Sequence, residues 1–327
     1  MAKGKTAYPG QRSLWERLPR QLRTDIVGYL FILPWVLSIL IFTAYPTVAS
    51  FVFSFAKYNV LQRPRFIGLT NYVYMFTRDT RLATAVYNSV YYTFLSVPLG
   101  LASSLALAVL LNARVRFVGL FRTIYYMPSL VPPVAGTLLW MLIMDPRQGL
   151  LNEVLHFFGL PRLGWFSDPQ WSKPALLIMS FWGIGSGTLI FLASLKEVPH
   201  ELIEAATMDG AGSWRRFWGV TIPMISPVIL FNLVMAILGS FQVFTSAYVA
   251  GSGSGGSLAG GGPSGTAGGP LDSLLMYMVY LYAQAFRYFE MGYASAMAVV
   301  LFLVIMAATL LIFRSSGRWV YYEGGRR

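Results

Sequence analysis

The 327-residue sequence contains no cysteine and only two histidines, and Asp, Glu, Lys and Arg together make up 12% of it. Without cysteine there is no disulfide framework to constrain the fold, and that absence fits any compartment. The histidines, His156 and His200, fall in different loops, so no nucleophile with an adjacent base is spelled out. Nor does any close cluster of Cys, His and carboxylates suggest a metal site. A Gly-Lys-Thr at Gly4 to Thr6 matches the end of a phosphate-binding P-loop. The glycine that should stand five residues earlier would fall before residue 1, so the chain is not expected to hydrolyse ATP.

Charge is scarcest where it decides most. Six segments, at about 26–56, 86–111, 123–144, 174–195, 224–250 and 291–313, contain no Asp, Glu, Lys, Arg or His. Each reaches the roughly 20 residues that span a bilayer as a helix. With 56% hydrophobic residues, the composition lies outside the range of soluble domains. The expected fold is an all-α membrane protein of six transmembrane helices. Ion-coupled carriers and pumps keep ionisable groups at membrane depth, and these cores have none. If a solute moves uphill here, the free energy enters from outside the helices.

A basic stretch from Lys3 to Arg23 precedes the first apolar run, which is too long for a signal-peptide core and lacks a small-residue cleavage site. It reads as an uncleaved span. With an even number of spans both termini share a side, and that side carries 16 Lys and Arg against 9 on the other. Basic residues mark the cytoplasmic face. The expected divisions are a cytoplasmic segment 1–25, a six-span domain 26–313 and a cytoplasmic tail 314–327. The net charge of +12 is thus mostly topology, and nucleic acid is not an expected partner.

On the outer side, LLNEVLHFFGL around residues 150–160 reads as a surface helix, and 273–290 as an external helix lying near the membrane interface. The loop 251–270, GSGSGGSLAGGGPSGTAGGP, is half glycine and reads as flexible. Prolines interrupt several spans: Pro34 and Pro46 in the first, Pro98 in the second, and Pro128, Pro132 and Pro133 in the third. Each frees backbone groups that lipid cannot satisfy, which turns those faces toward protein or a watery cavity.

Between the fourth and fifth spans lies ELIEAATMDGAGSWRRFWGVTIP, residues 201–223, within a cytoplasmic loop 196–223. Pro199 suits a first helical turn, and Gly210 suits the left-handed residue that ends a helix. Ser213 is a candidate N-cap for a second short helix, halted at Pro223. Leu202, Ile203, Met208, Trp214, Phe217 and Trp218 give this helix–corner–helix more apolar surface than a solvated loop needs. Either a protein docks there or the pair rests on lipid headgroups.

Glu204-Ala205-Ala206, then Gly210, then Val220 and Ile222-Pro223, resembles the EAA loop of the permease subunits of bacterial ABC importers, with Val220 and Ile222 where Ile and Leu are usual. The longer EAATMDGAG, the six spans, the early FILPWVLSILIFTAYPTV and the GGP at Gly268 to Pro270 resemble the carbohydrate-type, maltose-permease-like branch. The glycine-rich length before that GGP departs from the pattern. The resemblance implies a non-catalytic subunit that binds no cofactor, paired with a second permease, two ATPase subunits acting on ATP, and an extracytoplasmic binding protein. It implies that Glu204, Ala205, Ala206 and Gly210 form a coupling helix seated in the ATPase, with Asp209, Arg215 and Arg216 making polar contacts around it. A sugar-like solute calls for aromatic platforms and neutral hydrogen-bonding groups, for which Trp182, Ser186, Asn232, Ser240, Gln242 and Tyr248 are the candidates on the fourth and fifth spans. Polar residues in spans also serve simply as interhelical hydrogen bonds. The alternative reading is an ATP-independent channel or facilitator with a membrane-bound cytoplasmic loop.

Overall fold

The computed structural model describes residues 19–113, 117–253 and 268–321. Most of the basic N-terminal segment, Arg114 and Arg116, residues 254–267 of the glycine-rich loop and the last six residues of the tail lie outside that range. Among the described residues, four helices are long and apolar enough to cross a membrane unbroken: Asp25–Phe53, Thr80–Asn112, Ser226–Gly253 and Met291–Ser316. Two further crossings are bent pairs, Val118–Leu130 with Pro133–Ile143 at 102° and Ser172–Phe181 with Gly185–Glu197 at 44°. Taken as one span each, the bent pairs complete the expected six.

The sharp bend has a readable cause. Pro132 and Pro133 lack the N–H groups that would bond back into the preceding turn, and Val131 is extended at ψ 128. One freed acceptor finds a local partner, since the Val131 N–H bonds the Pro128 carbonyl at 3.1 Å, and the Gly136 N–H resumes the helical ladder on the Pro132 carbonyl at 2.9 Å. In the first span a π turn, Leu40–Ala44, comes just before Pro46 and absorbs its missing donor.

Two apolar clusters hold the bundle. Toward the loop that joins the fourth and fifth spans, Ala108, Leu111, Phe191, Leu192, Leu195, Val198 and Ile225 pack together. At the opposite end a larger cluster joins Tyr92, Met144, Trp165, Leu176, Ala247, Leu275, Tyr280 and Met297. The first span stands apart, leaning on the sixth through Tyr45–Phe53, and no residue of its apolar window is buried within the chain.

The surface helix near residue 150 is present as Leu150–Phe157. The segment expected to lie on the membrane interface is instead part of the core: Leu274, Leu275 and Met276 are fully buried and helix Tyr277–Tyr282 packs against the second and sixth spans. A segment apolar on all sides gains more from enclosure than from a one-sided lipid contact. Side chains of the second span fix it. Asn88 Nδ2 donates to the carbonyls of Asp272 and Leu275 at 2.9 and 3.1 Å, Ser89 Oγ accepts the Tyr277 N–H at 2.8 Å, and Arg81 pairs with Asp272 at 3.0 Å. Beside it Asp79 caps the second span by accepting the Leu82 N–H at 2.9 Å, and its other oxygen takes the hydroxyls of Tyr280 and Tyr293.

Candidate coupling loop and translocation groove

The loop between the fourth and fifth spans folds as helix His200–Met208, a glycine corner, and a second helix that starts at Ser213. Gly210 has φ +76, and nothing lies within 4 Å of where its Cβ would stand. The Ala211 N–H reaches the Ala206 carbonyl and the Gly210 N–H reaches Thr207, each at 3.0 Å, which closes the helix end with a left-handed residue at its turning point. Pro199 is the N-cap, one position earlier than expected.

Two expectations for the second helix need correction. Gly212 is the N-cap and Ser213 the first helical residue, whose hydroxyl accepts from Arg216 Nη2 at 3.2 Å instead of capping the backbone. The helix is also not halted at Pro223. It passes through a π turn, Phe217–Thr221, into Ile222–Met224, because the wider turn shifts the hydrogen-bond register before the proline that cannot donate.

Glu204, Ala205, Asp209 and Arg215 are exposed, with Ala206 half-buried. Arg216 is half-buried and bonds both Thr207 of the first helix and Ser213 of the second, so it braces the corner from inside the loop. Trp214, Phe217 and Trp218 stack with ring centroids 5.5–6.4 Å apart. Trp214 is 75% and Met208 88% exposed, a large apolar surface left open on a loop whose backbone is fixed.

Between the two apolar clusters, a groove of about 410 Å³ opens among the second, fourth and fifth spans. Ser186 and Asn232 line it together with Ser96, Ser104 and Ser180, and every lining residue is uncharged. Asn232 Nδ2 bonds the Val228 carbonyl at 2.9 Å, and Ser104 Oγ crosses to the Ile184 carbonyl at 3.3 Å. A Cβ on Gly187 would stand 3.2 Å from Ser104 Oγ, so the glycine lets the second and fourth spans approach there.

The other candidate pathway residues are not brought together. Trp182 faces a separate cavity that shares Ser180 and Gly183 with the groove. Gln242 lies in a largely apolar cleft of about 710 Å³ between the fifth and sixth spans. Ser240 is buried and donates to the Ile237 carbonyl of its own helix at 3.0 Å. Tyr248 stacks with Phe244 and Tyr282, at 5.2 and 5.4 Å. Sequence reading missed the second-span contribution, although Ser96, Gly100 and Ser104 recur every four residues and so share one helix face.

Residues 96–320 match the family described as the binding-protein-dependent transport system inner membrane component. That stretch covers well over half of the sequence. The chain belongs to this family. It is 38% identical over 307 residues to the probable ABC transporter permease protein YesP of Bacillus subtilis (strain 168), covering 93% of this chain and 95% of that protein. To the arabinooligosaccharides transport system permease protein AraP of the same organism it is 32% identical over 292 residues, 88% of each. The fold matches a chain of a bacterial ABC transporter involved in the import of the acidic polysaccharide alginate, with TM-score 0.78 at 22% identity, covering 93% of this chain and 99% of that one. The protein is a permease subunit of an inner-membrane ABC importer, and the ATP-independent facilitator is not favoured.

Proposed function

We propose that this chain forms half of the translocation pathway for a neutral saccharide, beside a second permease, with ATP hydrolysed by two separate ATPase subunits and the solute delivered by an extracytoplasmic binding protein. Both termini and the loop 196–223 face the cytoplasm in this reading. The saccharide assignment draws on AraP, an arabinooligosaccharide permease by name, and on a groove whose lining is hydroxyl-bearing, small and uncharged. A phosphate or carboxylate solute would call for a cation there.

The observation that carries the coupling role is the loop itself. A short helix ended by a left-handed glycine and braced by Arg216 holds Glu204, Met208 and Trp214 out on a fixed backbone. Such a surface fits the cleft of a partner that closes on ATP and moves the spans as rigid bodies. Gly210→Val puts a β-branched residue into a conformation that costs an L-residue about 1–2 kcal/mol, and so reorients the helix pair. Glu204→Lys reverses charge against a surface built for a carboxylate. Each variant should reach the membrane yet lose ATPase co-purification, or lose uptake in vesicles, whereas Gly210→Asn, which tolerates the left-handed region, keeps both. Normal ATPase retention and uptake in Gly210→Val and Glu204→Lys would return the loop to a helix pair resting on lipid.

A further inference from the structure

Beside the groove, the 102° break of the third span leaves a second cavity of about 170 Å³. Its walls include Tyr92 from the second span, Thr137 and Trp140 from the third, Ser180 and Trp182 from the fourth and Ser246 from the fifth. All of its lining residues are uncharged. Trp140 and Trp182 meet edge to face, centroids 6.2 Å apart at 77°, and form a corner. Gly136 lies against it, and a Cβ there would stand 3.4 Å from the Trp182 ring, at ordinary contact distance.

The polar groups around this corner are unequally satisfied. Thr137 Oγ1 donates to the Pro133 carbonyl at 2.7 Å, and Ser180 Oγ donates to the Leu177 carbonyl at 2.6 Å. The Trp140 indole N–H is buried with no partner among the described residues, and so is Ser96 Oγ, one turn beyond Tyr92 in the adjoining groove. A tryptophan that serves only as an interfacial anchor turns its N–H to the headgroups. An indole donor enclosed between four spans is costly unless something accepts its proton. Broken helices in transporters also place irregular backbone where it lines a cavity, not where it meets lipid.

We propose that the Trp140–Trp182 corner is a saccharide subsite, in which one neutral sugar ring lays its C–H face on an indole while a ring hydroxyl accepts the Trp140 N–H. This rests on the saccharide reading above and adds a place within the chain. The volume equals the share of about six water molecules, which suits a single ring, so a longer solute would pass the corner one residue at a time. Ser180 and Gly183 form walls of both cavities, and a ring leaving the corner enters the serine-lined groove directly.

The test uses the assembled transporter in nanodiscs, labelled with 5-fluorotryptophan and titrated with L-arabinose, lactose, trehalose and sn-glycerol 3-phosphate. Trp140→Phe assigns the Trp140 ¹⁹F resonance. That resonance should shift saturably with at least one of the three neutral sugars and stay unmoved by glycerol 3-phosphate. Removing one neutral hydrogen bond in Trp140→Phe should raise the KM for uptake of the responding sugar about five- to tenfold. The titration is made on the native sequence, so a poorly assembling variant does not blunt it. Vesicles that take up one of the sugars while the Trp140 resonance ignores all three would overturn the subsite and leave the saccharide reading standing. Uptake of glycerol 3-phosphate with no uptake of any sugar would sink both together.

Discussion

Gly185 opens the second half of the bent fourth span, and a Cβ there would lie 2.0 Å from the Tyr125 carbonyl oxygen, 2.8 Å from its carbon and 3.0 Å from the Tyr126 Cα. All three are backbone atoms of the third span, just ahead of its break, and backbone cannot rotate aside. Ordinary contact begins near 3.4 Å, so Gly185→Ala forces the two spans apart by more than an ångström. Overpacking of this kind costs about 1–3 kcal/mol, and a clash with backbone belongs at the upper end. For a chain of 327 residues that upper end corresponds to a melting shift of roughly 4 °C. Two glycines calibrate the series. Gly187 meets Ser104 Oγ at 3.2 Å, the end of a side chain that can move, and Gly100 meets nothing within 4 Å. Alanine at Gly100, inside a helix, should be neutral or raise stability by up to about 1 kcal/mol through helix propensity. Scanning fluorimetry of the purified complex should therefore rank Gly185→Ala far below Gly187→Ala, and Gly187→Ala below Gly100→Ala. Because Gly183 and Ile184 form part of the groove wall, uptake should fall with Gly185→Ala as well. A Gly185→Ala protein that melts and transports like the parent would show that the third and fourth spans do not approach this closely.

The Asp79 contacts and the topology give further expectations. Asp79→Asn puts an amide donor in place of an oxygen that now accepts two phenol hydroxyls, and should destabilise the assembled permease by about 1–3 kcal/mol, read as a lower melting temperature. Burial, and then the bond to Asp79, raise the Tyr280 phenol above its ordinary value. A raised pKa favours the protonated form in the folded state, so this stability is fully present below about pH 10 and is lost as pH rises beyond it. The parent should lose melting temperature faster than Tyr280→Phe above that pH; parallel curves would contradict the assignment. A reporter inserted at Gly212 or fused after Arg327 should report the cytoplasm, and an extracytoplasmic signal from either would overturn the inside–inside arrangement.

The spans were legible because each is a run without an ionisable residue, a signal that survives any packing arrangement. Pro128, Pro132 and Pro133 announced the break in the third span, though not its 102° angle, which depends on what the two halves pack against. The Glu204–Gly210 corner was readable from a rule of local backbone geometry, and Gly210 duly has positive φ. What failed depended on tertiary context. Segment 273–290 has the length and apolarity of an interfacial helix, and only Asn88, Ser89 and Arg81, nearly two hundred residues earlier, reveal that it is enclosed. The indole of Trp140 carries no pattern in the sequence, since its cavity is walled by residues of three other spans.

The loop and the groove are joined by very little chain. Val198 and Pro199 alone separate helix Gly185–Glu197 from His200–Met208, and on the return side Ile225 alone separates Ile222–Met224 from Ser226–Phe241. Short connections of this kind could still flex if they lay in water. Here Val198 and Ile225 are 7% and 1% exposed and belong to one apolar cluster with Phe191, Leu195 and Ala108. Close-packed interiors transmit displacement and do not absorb it. A push on the loop is therefore delivered to the fourth and fifth spans at once, the two spans that place Ser186 and Asn232 in the groove. The second span feels it through Ala108 and Leu111 in the same cluster, and it carries Ser104 and Ser96 on the groove's third wall. Under the proposed function, motion of an ATPase against the loop thus changes the width of the groove without any residue of the groove touching the ATPase.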